Sequence, residues 1–373
     1  MAVRTRGGPA VLSAGEGTAG KMPGTGEEGR SRIARRISEL WRGSSSFSLG
    51  SSGAVPGIAV MVALYMVYMV IDPQPRTLSG FGTILGEAAT VGLAGVGEAI
   101  VVLSGGYDLS TGAVVGVVNV ILATRTGFAS HTPALIVIGL GVGIGAGVLN
   151  GVAVAALRVP PIIATLGSLF IWQGVALLIL AQPGGTVDQG FVNALSGSVG
   201  NIPMPLILFA IAAVLWRATK YTRAGRHVYM LGGDEDSTRA NGVDVRRAVL
   251  FTYGFAGLFY GLAGLFYTAF TTSGDPSTGS SLLLPIFAAV VLGGILFGGG
   301  KGDPAAAIIG AVTLTLISDV LYALGVSSFY TGVFDGAALI VALAFSMLSG
   351  RLLVHRPTSG HGRTRAEKKG VVE

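Results

Sequence analysis

Two aspartates sit where long apolar stretches are interrupted by glycine and hydroxyl residues. Asp108 lies in Ser104-Gly-Gly-Tyr-Asp-Leu-Ser-Thr-Gly112, and Asp275 opens Asp275-Pro-Ser-Thr-Gly279. An ionisable group at membrane depth costs roughly 3 kcal/mol on insertion scales, so it marks a polar pathway, a buried pair or a helix cap. For Asp108 the cap is as good a reading as the pathway, because Asp accepts hydrogen bonds from the free N–H groups of a helix start. Gly105 and Gly106 break the preceding helix, and broken backbone at such depth is held only where protein buries it or it lines a cavity. Ser110, Asn150, Thr165 and Gln173 join these three as candidates to line a polar path. Helix–helix hydrogen bonding is the better account of any single one of Asn150, Thr165 and Gln173.

Other chemistries are excluded by what the chain lacks. There is no cysteine, so disulfides, thiol catalysis and Cys-ligated metals are ruled out. The four histidines, His131, His227, His355 and His361, are scattered and suggest no metal site. Gly299-Gly300-Lys301 invites a phosphate-loop reading but fails on spacing. Ile295 stands where the first glycine belongs, and Gly302 where Ser or Thr would hold Mg²⁺. The chain therefore carries no ATPase motif, no catalytic residue and no cofactor of its own.

The elements that must position these residues are apolar helices. Of 373 residues, 51% are hydrophobic and only 12% charged, and mean hydropathy is +0.68. A soluble domain averages about 25% charged residues, whereas a spanning helix needs about 20 mostly apolar ones. Ten apolar segments are expected, at 54–71, 81–103, 111–127, 133–156, 160–181, 203–217, 248–271, 282–298, 304–324 and 331–349, with eight spans plus re-entrant pieces as the alternative. Threaded alternately through a bilayer, they leave only Arg76 and Arg125, of 25 Lys+Arg, on the outer side. Cationic loops stay cytoplasmic during insertion, so this sorting fixes an orientation with both termini inside the cell membrane. The 60 glycines suit close helix approach, with Gly141, Gly143, Gly145 and Gly147 expected as a packing face.

The resulting class is an all-α polytopic membrane protein. Three regions follow: a basic, disordered cytoplasmic tail at 1–53, a transmembrane domain at 54–349, and a cytoplasmic tail at 350–373. A short amphipathic helix is expected near 33–41. The net charge of +6 reads as a topology signal with attraction to anionic lipid, not as nucleic-acid binding. The two Asp-x-Ser-Thr-Gly stretches lie five segments apart. An odd offset would relate them as two inverted five-helix repeats, a common transporter plan.

The longest inner loop, 221–246, is polar. Glu235 to Asn241 is expected to form a short helix stopped by Gly242, which can adopt positive φ. Its residues, Thr222-Arg-Ala-Gly-Arg-His-Val-Tyr-Met-Leu-Gly-Gly-Asp-Glu-Asp-Ser-Thr-Arg-Ala-Asn-Gly-Val-Asp-Val245, resemble the coupling-loop motif of ribose-type permeases. Those are membrane subunits of ATP-binding-cassette sugar importers. Gly225, Arg226, Arg239 and Gly242 match the pattern. Asp234 stands for the usual Asn, Ser237-Thr238 for two Ala, and Val243 for Ile. Other stretches agree in order: Ser104–Gly112, Leu149-Asn-Gly151, Arg158-Val-Pro-Pro-Ile-Ile-Ala-Thr-Leu-Gly167, and Pro276-Ser-Thr-Gly279 with Ala288-Ala-Val-Val-Leu-Gly-Gly294 and Gly299-Gly-Lys-Gly302.

This resemblance implies a permease that carries a monosaccharide or polyol by alternating access, at the interface of a homo- or heterodimer. It also implies an ATPase subunit below, which binds the ATP, and an extracytoplasmic sugar-binding protein above. Gly225, Arg226, Gly232, Asp234, Arg239, Gly242 and Val243 would contact or shape the ATPase-coupling surface. The chain departs from the pattern at Leu283-Leu284, where Glu-Leu is usual, and at Glu98 and Asp335, where the spans are usually uncharged. An ion-coupled secondary transporter stays open, with Glu87, Glu98, Asp319 and Asp335 as proton or cation sites. So does the same importer machinery carrying amino acids or nucleosides.

Overall fold

Apolar runs interrupted by glycine and proline become helices of unequal length. The computed structural model describes residues 54–125, 132–295 and 297–330, with scattered positions between 332 and 344. In chain order the helices are α1 (Ala54–Ile71), α2 (Leu78–Leu103), α3 (Thr111–Ala123), α4 (Thr132–Ala155), α5 (Pro161–Ile179) and α6 (Gln189–Ser196). A two-residue-per-strand hairpin, β1 (Ser198–Val199) with β2 (Ile202–Pro203), precedes α7 (Met204–Lys220), α8 (Arg223–Gly233) and α9 (Glu235–Ala240). Then come α10 (Val245–Thr271), α11 (Thr278–Leu292) and α12 (Ala306–Ala323).

Five of these, α2, α4, α5, α10 and α12, are long and apolar enough to cross a membrane. A sixth span is added if α7 and α8, bent by 81° at their junction, count as one. The described stretch Pro56–Ile71 of α1 and the short α3 and α11 are apolar but shorter than these spans. Nine of the ten expected segments thus contain a helix, without ten full spans being established among the described residues. The segment expected at 111–127 ends at Ala123, and that expected at 282–298 starts at Thr278 and ends at Leu292. Helix–helix contacts bury almost all of α3 and the second half of α11, from Ile286 to Val291, at less than spanning length. The expectations for 1–53, for 350–373, for Asp335 and for most of 331–349 lie outside the described residues.

At the centre is α2, whose inner half from Leu93 to Leu103 is entirely buried. It packs with α10, α11 and α12 around Leu93, Ile100, Phe259, Phe266 and Ile286. Helices α4 and α10 approach so closely that glycine is required. A Cβ at Gly143 would strike the Gly257 carbonyl oxygen, and one at Gly147 the Tyr253 carbonyl oxygen. The packing stripe is Gly139, Gly143, Gly147 and Gly151, one residue every four. Gly141 and Gly145, expected on the same face, instead point into open space. Residues two apart lie about 200° around a helix, so the four expected glycines split onto opposite sides.

The loops gather at two ends. At one, Asn119 holds the 272–277 connection, and Gly184 pairs with Gly274 in an isolated antiparallel bridge. At the other lie the end of α2, the α7–α8–α9 turn and the 297–303 connection. Lys220 pairs with Asp303 there at 3.1 Å, and Tyr229 donates to the Gly302 carbonyl at 3.0 Å.

Candidate functional site

The polar loop is built by successive caps. Thr222 accepts the Gly225 N–H and starts α8, and Gly225 is required because a Cβ would strike the Thr219 carbonyl oxygen. Arg226 reaches back to the Tyr221 carbonyl at 2.7 Å. Asp234 then ends α8 and starts α9, accepting from the Asp236 and Ser237 N–H groups at 3.2 and 3.3 Å and from the Ser237 hydroxyl at 2.5 Å. These bonds, the Ser237 hydroxyl first, hold its carboxyl below the usual aspartate value. The expected helix is present as Glu235–Ala240, and Gly242 follows it at φ 77°. Its exposed face carries Glu235, Asp236 and Arg239, with Arg239 in surface pairs to both acids. Val243 is half-buried, its N–H reaching the Thr238 carbonyl at 3.4 Å.

At the end of α2, Gly232 near the end of α8 meets the glycine turns at Gly105 and Gly299-Gly300. Gly232 is pressed against the end of α2, so a Cβ there would overlap the Leu103 carbonyl oxygen. That same oxygen accepts the Gly300 N–H at 2.8 Å. A Cβ at Gly299 would lie 3.1 Å from the Gly105 Cα and 2.9 Å from the Gly232 Cα. Gly105 has φ 84° and Gly299 φ 70°, a left-handed conformation that favours glycine. The Gly-Gly-Lys stretch thus closes a backbone joint between the α8–α9 loop and the break after α2.

Beyond the joint lies a buried polar knot. The Asp108 carboxylate accepts the Ser110 N–H at 3.0 Å, the Ser110 hydroxyl at 2.6 Å and the Asn150 amide at 3.2 Å. Asn150 also donates to the Ser110 hydroxyl oxygen at 2.8 Å. Glu98, on α2, accepts the Asp108 N–H at 3.1 Å. Thr165 donates to the Tyr107 carbonyl at 3.3 Å, and the Tyr253 hydroxyl donates to the same oxygen at 3.2 Å. Glu98, Asp108, Ser110, Thr111 and Thr165 are fully buried, and Asn150 nearly so. Among the described residues neither acid makes an ion pair, and no Lys, Arg or His occurs between Arg76 and Arg125.

The structure therefore brings together Gly105, Gly106, Asp108, Ser110, Asn150 and Thr165, and leaves Gln173 apart on the half-exposed α5. Sequence reasoning missed the roles of Glu98, Thr111, Tyr253 and Tyr260 in holding the knot. Their signal was the acid itself, set in an apolar helix with no nearby cation. The acids of the ion-coupled reading do not converge on one site. Glu98 partners Asp108, while Glu87 of α2 and Asp319 of α12 are neighbours elsewhere. Asp335 lies outside the described residues. No group of three or more His, Cys, Asp or Glu suited to a metal occurs among the described residues.

Residues 80–343 match the family described as branched-chain amino acid transport system / permease component. The chain belongs to this family. It is 31% identical over 294 residues to the ribose import permease protein of Escherichia coli strain K12, covering 77% of this chain and 91% of that one. The fructose import permease protein of Rhizobium meliloti is 30% identical over 312 residues, 80% of this chain and 86% of its own. The D-allose transport system permease protein of Escherichia coli is 33% identical over 296 residues, 78% and 90%. No solved structure matches the chain. The ribose-type resemblance seen in the motifs thus extends over most of the chain, and its relatives are transport subunits.

Proposed function

We propose that this chain is the permease subunit of an ATP-binding-cassette importer for a monosaccharide or related polyol. The observation that carries the reading is an exposed α9, its caps intact, that follows in the chain closely after Gly232, itself pressed against the broken end of α2. The import permeases for ribose, fructose and D-allose support the cargo class.

In this reading a separate ATPase binds ATP and moves α9. Gly225, Arg226, Gly232, Asp234, Arg239, Gly242 and Val243 shape the surface it grips. The motion passes through Gly232 to Leu103 and on to the Asp108 knot, switching access from one side of the inner membrane to the other. Positive loops and both termini face the cytoplasm, the segment 54–349 spans the membrane, and a binding protein docks on the opposite end. A second permease copy covers α5, the least enclosed span, with only 11% of its apolar window buried. The path then runs along that interface, where Gln173 is accessible. Asp108, Ser110, Asn150 and Thr165 shape the path from behind, holding the broken helix in place. The paired Asp-x-Ser-Thr-Gly starts mark two inverted halves.

One observation favours a second cargo: the family description names branched-chain amino acids. The ligand of the binding protein that works with this permease would separate the two.

The test is purification of the tagged protein from its native membrane, with ATP hydrolysis measured in the eluate. Wild type is expected to bring down an ATP-hydrolysing subunit. Arg239→Glu and Gly242→Asp variants are expected to insert normally and lose it. Wild type without an associated ATPase in mild detergent would refute the importer reading.

A further inference from the structure

Four helices meet at one carboxyl group. Glu98 of α2 faces the first residue of α3, the Asp108 backbone before it and the Tyr260 hydroxyl of α10, while Asn150 of α4 closes the far side through Asp108. The hydrogens in this knot can be counted. Thr111 Oγ1 lies 2.8 Å from Glu98 Oε2 and 2.7 Å from the Asp108 carbonyl oxygen. Oxygens this close need a hydrogen between them. The Thr111 hydroxyl has one hydrogen, and a carbonyl oxygen has none, so Thr111 must donate to Asp108 O. The hydrogen between Thr111 and Glu98 then belongs to Glu98.

The rest of the knot agrees. Glu98 Oε1 accepts the Asp108 N–H at 3.1 Å, as the carbonyl oxygen of a carboxylic acid would. Tyr260 OH, 3.4 Å from Oε2, can donate to its remaining lone pair. The Asp108 carboxyl faces three donor groups: the Ser110 N–H, the Ser110 hydroxyl and the Asn150 amide. It is the natural carboxylate of the pair. Two ionised carboxylates buried together without a cation would repel strongly, which a proton on Glu98 removes.

We propose that Glu98 is a protonated positioning residue, whose acid O–H donates to Thr111 and ties α2 to the start of α3. The proton makes a mechanical link. It fastens α3 to the helix that the glycine joint touches, so that the α2 break moves as one piece with the Asp108 turn. Its role in uptake rests on the importer reading; its chemical state does not.

The state is read by infrared spectroscopy of the protein in lipid at neutral pH. The wild-type minus Glu98→Gln difference spectrum should contain the carbonyl stretch of a protonated carboxylic acid. Thr111→Val, which removes the acceptor, should shift that band to higher frequency. Absence of the band, or its loss in Asp108→Asn with retention in Glu98→Gln, would overturn the proposal. The role is read by uptake into proteoliposomes with the ATPase and binding protein. An amide still donates to Thr111, so Glu98→Gln should stay within about threefold of wild type, while Glu98→Ala, leaving buried partners unmet, should fall about tenfold or more. Equal uptake by wild type and Glu98→Ala would also overturn it. If wild type itself transports nothing, the importer reading fails and the infrared result still decides the state of Glu98.

Discussion

The starts of α3 and α11 are built from nearly the same five residues, yet they are wired differently. In both, the Asp carboxylate accepts the N–H and hydroxyl of the serine two positions on: Ser110 at 3.0 and 2.6 Å, Ser277 at 2.8 and 2.6 Å. Both first turns meet through glycine, since a Cβ at Gly112 would strike the Gly279 carbonyl oxygen and one at Gly279 would lie 2.7 Å from the Ala113 Cα. There the likeness stops. Asp108 is fully buried, and its side chain is gripped by Asn150 of another helix. Asp275 is half-exposed, and Asn119 grips its backbone N–H at 2.7 Å instead of its carboxylate. The local sequence sets the turn; the neighbouring helices decide whether the acid is a cap or a structural hub.

The largest expected effect separates the two aspartates. Asp108→Ala leaves the Asn150 amide and the Ser110 groups without their acceptor, at a cost of about 3–5 kcal/mol. Asp275→Ala removes only a solvent-facing cap, worth about 1 kcal/mol. Thermal unfolding in detergent should therefore place Asp108→Ala far below Asp275→Ala, and equal midpoints would break the comparison.

A smaller effect should fall on the second start alone. Asn119 is fully buried and bonds the Thr268 hydroxyl, the Ser273 carbonyl and the Asp275 N–H. Asn119→Ala should cost about 2 kcal/mol, with one buried and two half-buried groups left short of one partner each. Hydrogen exchange should quicken over 272–279 and stay slow over 108–115. Faster exchange at both starts would mean that they are one cooperative unit.

The smallest effect concerns a third aspartate at a helix start, the fully exposed Asp234. Its carboxyl is lowered below the ordinary value by the Ser237 hydroxyl and the Asp236 N–H. The stabilisation of α9 is thus present above the unfolded carboxyl pKa and is lost as pH falls through the lowered folded value. Amide exchange at Asp236 and Ser237 should accelerate on acidification below about pH 4. Asp234→Asn should flatten that dependence, and an unchanged profile would remove the cap from the account of α9.

The sequence exposed the helices more clearly than their lengths or contacts. Apolar runs and charge placement located α1 to α5, α7 and α10 to α12, because burial in lipid or protein makes the same compositional demand. The α9 helix and its Gly242 stop were legible because caps are local. The glycine stripe was misread because alternate residues look regular in sequence while lying on opposite helix faces. Gly232 gave no sign of its contact with Leu103, 129 positions earlier in the chain. Glu98 stood out as an acid in an apolar helix, but its partners on α3 and α10 follow from packing, which no spacing encodes.

In the proposed importer, motion of the 221–246 loop reaches the Asp108 knot through the contact of Gly232 with Leu103. The most direct test of this claim measures substrate uptake and ATP hydrolysis together, in proteoliposomes containing wild type or Gly232→Ala with the ATPase and binding protein. A methyl at Gly232 must push the loop from the end of α2 but leaves the exposed face of α9 intact. The expected result is a variant that still inserts and still binds its ATPase, with uptake per ATP hydrolysed reduced about tenfold or more, equivalent to about 1.4 kcal/mol of lost coupling. An inserted, ATPase-bound Gly232→Ala variant with wild-type uptake per ATP would contradict the claim.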